Sequence, residues 1–285
     1  KSRTIDKIIE NNLNLQEYPE NILRINIHSS SSNSDLMQGI GINSYEGAIE
    51  YKEKQGLILN FIQKATFCPL QPFALILEEI QENSLNELIG DLIYLIEDSK
   101  RTKIVSADDI KYTYEELIEK FKKDKLEINT VKIPNLVSQN NIYKTMILPN
   151  NLFIFCTSNY RDDKKVIEDN LLRRFDVIEI YPKYKKEIGK EFINQTISDF
   201  IEKLNKSILE FCSEKGEIHP DRFMIGHSIW LKVENKQDFE RTFLKVITEF
   251  KDVKDFHFDD FKEIIKDIEF PFDIEKDYTT YQAWI

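Results

Sequence analysis

Four short stretches carry residue types that could act together. The first is Glu78-Glu79, two acids closing an unbroken apolar run, Phe73-Ala74-Leu75-Ile76-Leu77. A buried strand ending in acids puts carboxylates where open α/β sheets bind ligands, beyond the carboxyl ends of the strands. One carboxylate there can hold Mg²⁺, directly or through water; the other can orient and deprotonate an attacking water. The second stretch is Thr157-Ser158-Asn159, at the end of another apolar run, Leu152-Phe153-Ile154-Phe155-Cys156. An amide at a neighbouring strand tip can hydrogen-bond a phosphate or the same water. The third is Leu171-Leu172-Arg173-Arg174-Phe175, where paired guanidinium groups beside large apolar residues suit bidentate phosphate recognition. The fourth is Lys1-Ser2 ahead of a helical stretch, the pair that ends a phosphate loop of the form G-x-x-x-x-G-K-[ST]. Taken singly, each has a plainer explanation. Acids mark a strand's arrival at solvent, Asn opens turns, arginines pair on surfaces, and two residues carry little information.

The pattern around these stretches predicts the elements that hold them. Residues 3–12 read as a helix with Ile5, Ile8 and Ile9 on one face, and Leu23, Ile25 and Ile27 alternate with polar residues as in a half-buried strand. The polar loop Ser29 to Ser34 follows, then a short helix from Asp35 and a small hairpin arm over 46–52. Gly56 to Ala65 reads as an apolar helix, and the period through Leu85, Leu88, Ile89, Leu92, Ile93 and Ile96 gives a helix over 84–98. Residues 102–147 are charged and polar and read as an insertion, helical from Tyr114 to Lys123. There Glu115, Glu116 and Glu119 beside Lys122, Lys123 and Lys125 favour a solvated helix face. Val177, Ile178 and Ile180 suggest a third strand, ending at Pro182. Beyond it helices dominate, at 192–211, 227–232, 237–250 and 257–268. Alternating strands and helices imply a three-layer αβα core with a parallel sheet over 1–182. A smaller helical domain follows over 183–285.

Length and composition narrow the class. At 285 residues, 41% hydrophobic and 31% charged, the chain can bury a sizeable core in about two domains. Its net charge of −11 excludes coating nucleic acid by bulk attraction. No apolar run approaches the roughly 18 residues needed to span a bilayer. Starting on Lys1 and not Met, the chain reads as a fragment. Cys68, Cys156 and Cys212 are odd in number and far apart, which fits free thiols in a reducing, cytoplasmic setting rather than a disulfide framework. The histidines show no metal-ligand spacing.

The four stretches in this order resemble the AAA+ superfamily and, within it, the McrB-like branch, the GTP-hydrolysing motor of modification-dependent restriction systems. Leu75-Ile76-Leu77-Glu78-Glu79-Ile80 looks like the Walker B strand. Leu148-Pro149-Asn150-Asn151-Leu152 through Asn159 looks like the sensor 1 strand, and Leu172-Arg173-Arg174-Phe175 like the arginine-finger segment. Phe223-Met224-Ile225-Gly226-His227-Ser228 is similar to the branch's Ile-Gly-His-Ser in the helical lid, and His28-Ser29-Ser30-Ser31 echoes its loop after the second strand.

The resemblance implies roles. Lys1 would contact the β and γ phosphates of GTP or ATP, while Ser2 and Glu78 would bind Mg²⁺. Glu79 would be the catalytic base and Asn159 sensor 1. Arg173 and Arg174 would reach a neighbouring protomer's nucleotide, which implies a homo-oligomeric ring, most simply a hexamer. His227 and Ser228 would touch the nucleotide from the lid, or merely start a helix. A McrC-like nuclease subunit is the implied partner, with DNA reached through that partner or an N-terminal domain, and no membrane. Departures also stand out. The branch has Asp where Glu78 stands, and Asn-Arg where Gln81-Glu82 stand. Its Met-Asn-Thr-Ala-Asp-Arg-Ser becomes Ser158 to Lys164, keeping Asn159 and a candidate catalytic Asp162 but with Asp163 replacing Arg. Three functions remain open: an active ring NTPase serving DNA translocation or nuclease activation in anti-phage defence, a subunit that binds nucleotide but scarcely hydrolyses it, and an α/β interaction module without nucleotide.

Overall fold

The computed structural model describes residues 1–45, 48–103, 114–124, 128–137, 144–159, 167, 169–184, 195–217, 219–252 and 256–272. The chain divides into two compact units, Lys1–Ile178 and Glu179–Ile285.

The first unit is built on a parallel sheet in the order β1 (Ile22–Asn26), β4 (Phe73–Glu78), β7 (Leu152–Cys156). The strand β4 lies in the middle, in register Asn26 to Glu78 on one side and Leu77 to Cys156 on the other. Its side chains alternate between two cores. Phe73, Leu75 and Leu77 face a large cluster with α3 (Leu57–Phe67), α4 (Leu85–Ile89) and α5 (Leu92–Leu95). Ala74 and Ile76 face Ile5 and Ile9 of α1 (Ser2–Asn11), four residues apart on one helical face. Helices on both faces of a parallel sheet are the expected αβα arrangement, and they explain why β4 is an unbroken apolar run.

Several elements differ from what the sequence predicts. The helix expected over 84–98 is two short ones, because Gly90 takes the left-handed region at φ +52 and ends α4. The hairpin expected over 46–52 is longer: β2 (Gln38–Tyr45) pairs antiparallel with β3 (Ala48–Gln55), after a short helix α2 (Asn33–Leu36). Val177, Ile178 and Ile180 are exposed and form no strand among the described residues. Their β-branched character suits a strand, yet a strand needs a neighbour to complete its ladder.

Within 102–147 the chain closes on itself. Thr102 pairs with Pro149, and Thr102 N–H donates to Leu148 O at 2.8 Å. Between these ends lie α6 (Tyr114–Lys123) and the hairpin of β5 (Val131–Ile133) with β6 (Lys144–Met146). One face of α6 is not solvated: Tyr114, Leu117, Ile118 and Phe121 are buried with Ile147 and Phe67. The short helix α7 (Asp169–Leu172) then seats Leu171 in the large core.

The second unit is helical: α8 (Gln195–Glu214), α9 (Lys236–Asp252) and α10 (Phe258–Ile265). Its core is aromatic, with Phe239 stacked on Phe243 at 5.7 Å and Phe200 edge-on to Phe239 at 5.1 Å. No helix among the described residues is long and apolar enough to cross a membrane.

Burial fixes one thiol. Desolvation pushes Cys156 up to about 12, so it packs as an inert group and not as a nucleophile.

Gly56, ahead of α3, admits no side chain. Its N–H donates to Met37 O at 2.7 Å, and a Cβ would lie 2.3 Å from the Leu36 carbonyl carbon. Gly56→Ala is therefore expected to lose about 1–3 kcal/mol of stability, read by urea unfolding. An unchanged midpoint would show that the α2–α3 approach is slack.

Candidate functional site

Four of the strands' neighbouring positions meet at one end of the sheet. Glu78 is the last residue of β4, Glu79 follows it, and Thr157 and Asn159 follow β7. Parallel pairing brings these ends together, and α1 starts beside them because Ile5 and Ile9 dock it on the adjoining face. The five predicted residues Lys1, Ser2, Glu78, Glu79 and Asn159 thereby form one connected network.

Glu78 is the most heavily bonded of them. Its Oε2 accepts from Thr157 Oγ1 at 2.6 Å and from Ser2 Oγ at 3.0 Å, and its Oε1 pairs with an Arg24 nitrogen at 2.6 Å. Arg24 is held from the other side by Asp6 of α1. Burial alone would raise the Glu78 carboxyl. The hydrogen bonds from Thr157 and Ser2 and the charge of Arg24 outweigh burial and hold it below the ordinary carboxylate value.

Glu79 is placed differently. Its backbone lies in the left-handed region at φ 56, which costs a non-glycine residue about 1–3 kcal/mol and persists only where neighbours dictate it. Thr157, Asn159 and Gln81 are those neighbours. Glu79 N–H donates to Thr157 Oγ1 at 3.2 Å, and Ile80 N–H to Thr157 O at 2.9 Å. The side-chain Oε2 of Glu79 accepts from Asn159 Nδ2 at 2.8 Å and from Gln81 Nε2 at 2.6 Å. Asn159 Oδ1 accepts from the Lys1 ammonium. No side chain caps the first turn of α1, which begins at Ser2. Helix N–H groups, an ammonium and an amide there suit an anion.

The hydroxyl of Ser2 and the carboxylate of Glu78 are hard oxygen donors 3.0 Å apart, which fits Mg²⁺. Among the described residues no group of three or more His, Cys, Asp or Glu could hold a metal unaided. A cation here would need oxygens from a ligand to complete its shell.

The two arginines are not bonded into this network among the described residues. Arg174 is half-buried and ion-paired with Glu97, while Arg173 is exposed and has no bonded partner among the described residues. Asp162 lies outside the described residues. In the second unit His227 Nδ1 accepts from Lys183 N–H at 3.1 Å, and Ser228 is exposed in a single helical turn, His227–Trp230. The serine loop after β1 is tied down by Asn83, whose Nδ2 donates to His28 O at 3.2 Å and Ser31 O at 3.1 Å.

Three residues of the site are given no role of their own by the sequence: Arg24, Thr157, named only within its stretch, and Gln81, named only as a departure. Arg24 had one visible signal, a charge on the polar face of a half-buried strand. The other two gain meaning only from strand register.

Comparison with known proteins gives one relevant match. The chain is 25% identical over 219 residues to the "Type IV methyl-directed restriction enzyme EcoKMcrB subunit" of Escherichia coli (strain K12). The alignment covers 75% of this chain and 41% of that subunit, so the chain spans about two fifths of the relative's length. No protein-family model matches the chain. Similarity at this level supports a McrB-like relationship.

Thr157→Val keeps the shape but removes both hydroxyl bonds, leaving the Glu79 N–H without its acceptor and Glu78 Oε2 with the Ser2 hydroxyl as its one remaining donor. The expected loss is about 1–3 kcal/mol in denaturant unfolding, because buried polar groups left unpaired carry their desolvation penalty. A loss no larger than that of Thr157→Ser would exclude this role for the hydroxyl.

Proposed function

We propose that the chain is a McrB-like AAA+ nucleoside triphosphatase. One observation carries this reading: Lys1, Ser2, Glu78, Glu79 and Asn159, far apart in sequence, are bonded into one network at the head of α1. The similarity to a methyl-directed restriction enzyme subunit supports it independently.

In this reading a triphosphate, GTP or ATP, lies against the first turn of α1. Lys1 exchanges Asn159 for phosphate oxygens, and the anion draws on the uncapped N–H groups of the helix. Ser2 and Glu78 hold Mg²⁺, which when bound neutralises charge on the phosphates. Glu79 polarises water for in-line attack on the γ-phosphorus. The P–O bond to the leaving diphosphate breaks as the water oxygen bonds, and the water's proton passes to the carboxylate. Asn159 orients the base. His227 and Ser228 in the helical second unit are the lid's candidates for touching nucleotide, and Asp162 belongs to the same expected set. The protomers assemble as a ring, most simply a hexamer, that activates a McrC-like nuclease or moves DNA.

Arg173 is the group that completes a neighbour's site. Arg174, held by Glu97, positions the turn.

A second reading is favoured by one contact. Arg24 already neutralises the Glu78 carboxylate that would face the cation. A subunit of this kind would bind nucleotide and scarcely hydrolyse it. Phosphate release by wild-type protein separates the two, and rapid turnover would dismiss the weaker enzyme.

Glu79→Gln should keep nucleotide binding and lower phosphate release by about 10²–10⁴-fold, the usual worth of a general base. Unaltered turnover would remove Glu79 from that role. Arg173→Ala should also be inactive, since such a finger is worth about 10³–10⁵-fold. Mixing the two inactive variants should restore part of the rate, because some junctions then join an intact base to an intact arginine. Mixtures as inactive as their components would sink the shared-site arrangement.

A further inference from the structure

Gln81 lies two positions after Glu79, in a single turn, Ile80–Glu82. It is only 6% exposed. A buried amide is costly unless both its ends are bonded, and here both are. Its Nε2 donates to Glu79 Oε2 at 2.6 Å, and its Oε1 accepts from Asn159 N–H at 3.1 Å. The orientation is forced. With oxygen and nitrogen exchanged, an oxygen would face a carboxylate and an NH₂ group would face an N–H.

We propose that Gln81 is a positioning residue for Glu79, one that assigns the two carboxylate oxygens to different tasks. This rests on reading Glu79 as the base. Oε2 accepts two amide N–H groups, from Gln81 and from Asn159 Nδ2. Oε1 has no hydrogen-bond partner among the described residues and is the oxygen left to take a proton from water. Without Gln81, Oε2 keeps one donor and the carboxylate can rotate about its last bond, mixing the two oxygens. Gln81 also binds the backbone of Asn159, so base and neighbouring strand tip move as one piece. Gln81 never reaches the reacting atoms. It acts through Glu79.

The test is Gln81→Glu, nearly identical in shape. The new carboxylate keeps an acceptor for Asn159 N–H but presents an oxygen to Glu79 where a donor stood. Gln81→Leu removes both bonds. Phosphate release with Mg²⁺ and GTP or ATP, binding of a fluorescent nucleotide analogue and thermal melting are measured for wild type, both variants and Glu79→Gln. The expected result is a fall in kcat of about tenfold or more in both Gln81 variants, as small misplacements of a reacting group produce. KM and nucleotide affinity should stay within about threefold in both variants, even where melting falls because an oxygen or a methyl group meets the Glu79 carboxylate. A Gln81→Glu protein that turns over like wild type, while Glu79→Gln is inactive, overturns this inference alone. So does a parallel fall of kcat, binding and melting, which would make Gln81 merely structural. A wild-type protein that releases no phosphate overturns the hydrolase reading, and this inference with it.

Discussion

Thr157 bonds the end of β4 with every polar group it has. Its N–H donates to Leu77 O at 2.9 Å, its carbonyl accepts from Ile80 at 2.9 Å, and its hydroxyl lies between Glu78 Oε2 and the Glu79 N–H. The residue is 5% exposed, so these bonds are shielded from competing water. Their joint effect is to continue the β4–β7 pairing one step past the strands while turning Glu79 into the left-handed region. A sheet that ended at Cys156 would leave two adjacent carboxylates free to swing. With Thr157 in place they point to different partners: Glu78 toward Ser2 and Arg24, Glu79 toward Asn159 and Gln81. Two identical side chains, adjacent in sequence, are given separate tasks by backbone geometry.

Charge balance follows from the same arrangement. The chain is acidic overall, with a net charge of −11, yet its central carboxylates are met by cations and amides. Arg24 spans Asp6 of α1 and Glu78 of β4, tying helix to sheet at the point where a ligand would enter. Lys1 donates to a neutral amide oxygen, Asn159 Oδ1, at the same end of the sheet.

Much of the sheet could be read from residue order alone, and the reason is burial. The strand β4 is apolar without interruption because both of its faces are covered, and β7 beside it is as apolar in sequence though Phe153 is exposed. Acids or amides at their ends are therefore conspicuous. The same logic misled at Val177, Ile178 and Ile180, where β-branched residues lie exposed and unpaired. Periodicity also runs through Gly90, because apolar spacing continues from α4 to α5 while the backbone leaves the helical conformation between them. Gln81 was read as a departure from a family pattern. Its value depends on where Asn159 lies across the sheet, 78 residues on, and no local spacing contains that information.

The arginine turn shows how a short loop can be stiff and outward-facing at once. Leu171 is buried and Phe175 packs against the same core, so the turn is anchored at both ends by apolar contacts. Arg174 N–H donates to Leu171 O at 3.0 Å and Phe175 N–H to Leu172 O at 3.2 Å, which closes the backbone. The Arg174 side chain then reaches back to Glu97. Four residues beyond Glu97, Arg101 donates to Ile96 O at 3.1 Å and to Leu152 O at 2.7 Å, so this segment is bound to the first residue of β7. Adjacent side chains on a tight turn diverge, and once Arg174 is committed inward, Arg173 is left exposed on a fixed base. The neighbour-completing role proposed for Arg173 draws on that combination. With no bonded partner among the described residues it forfeits none on reaching out, and its anchored turn limits the entropy lost when it does.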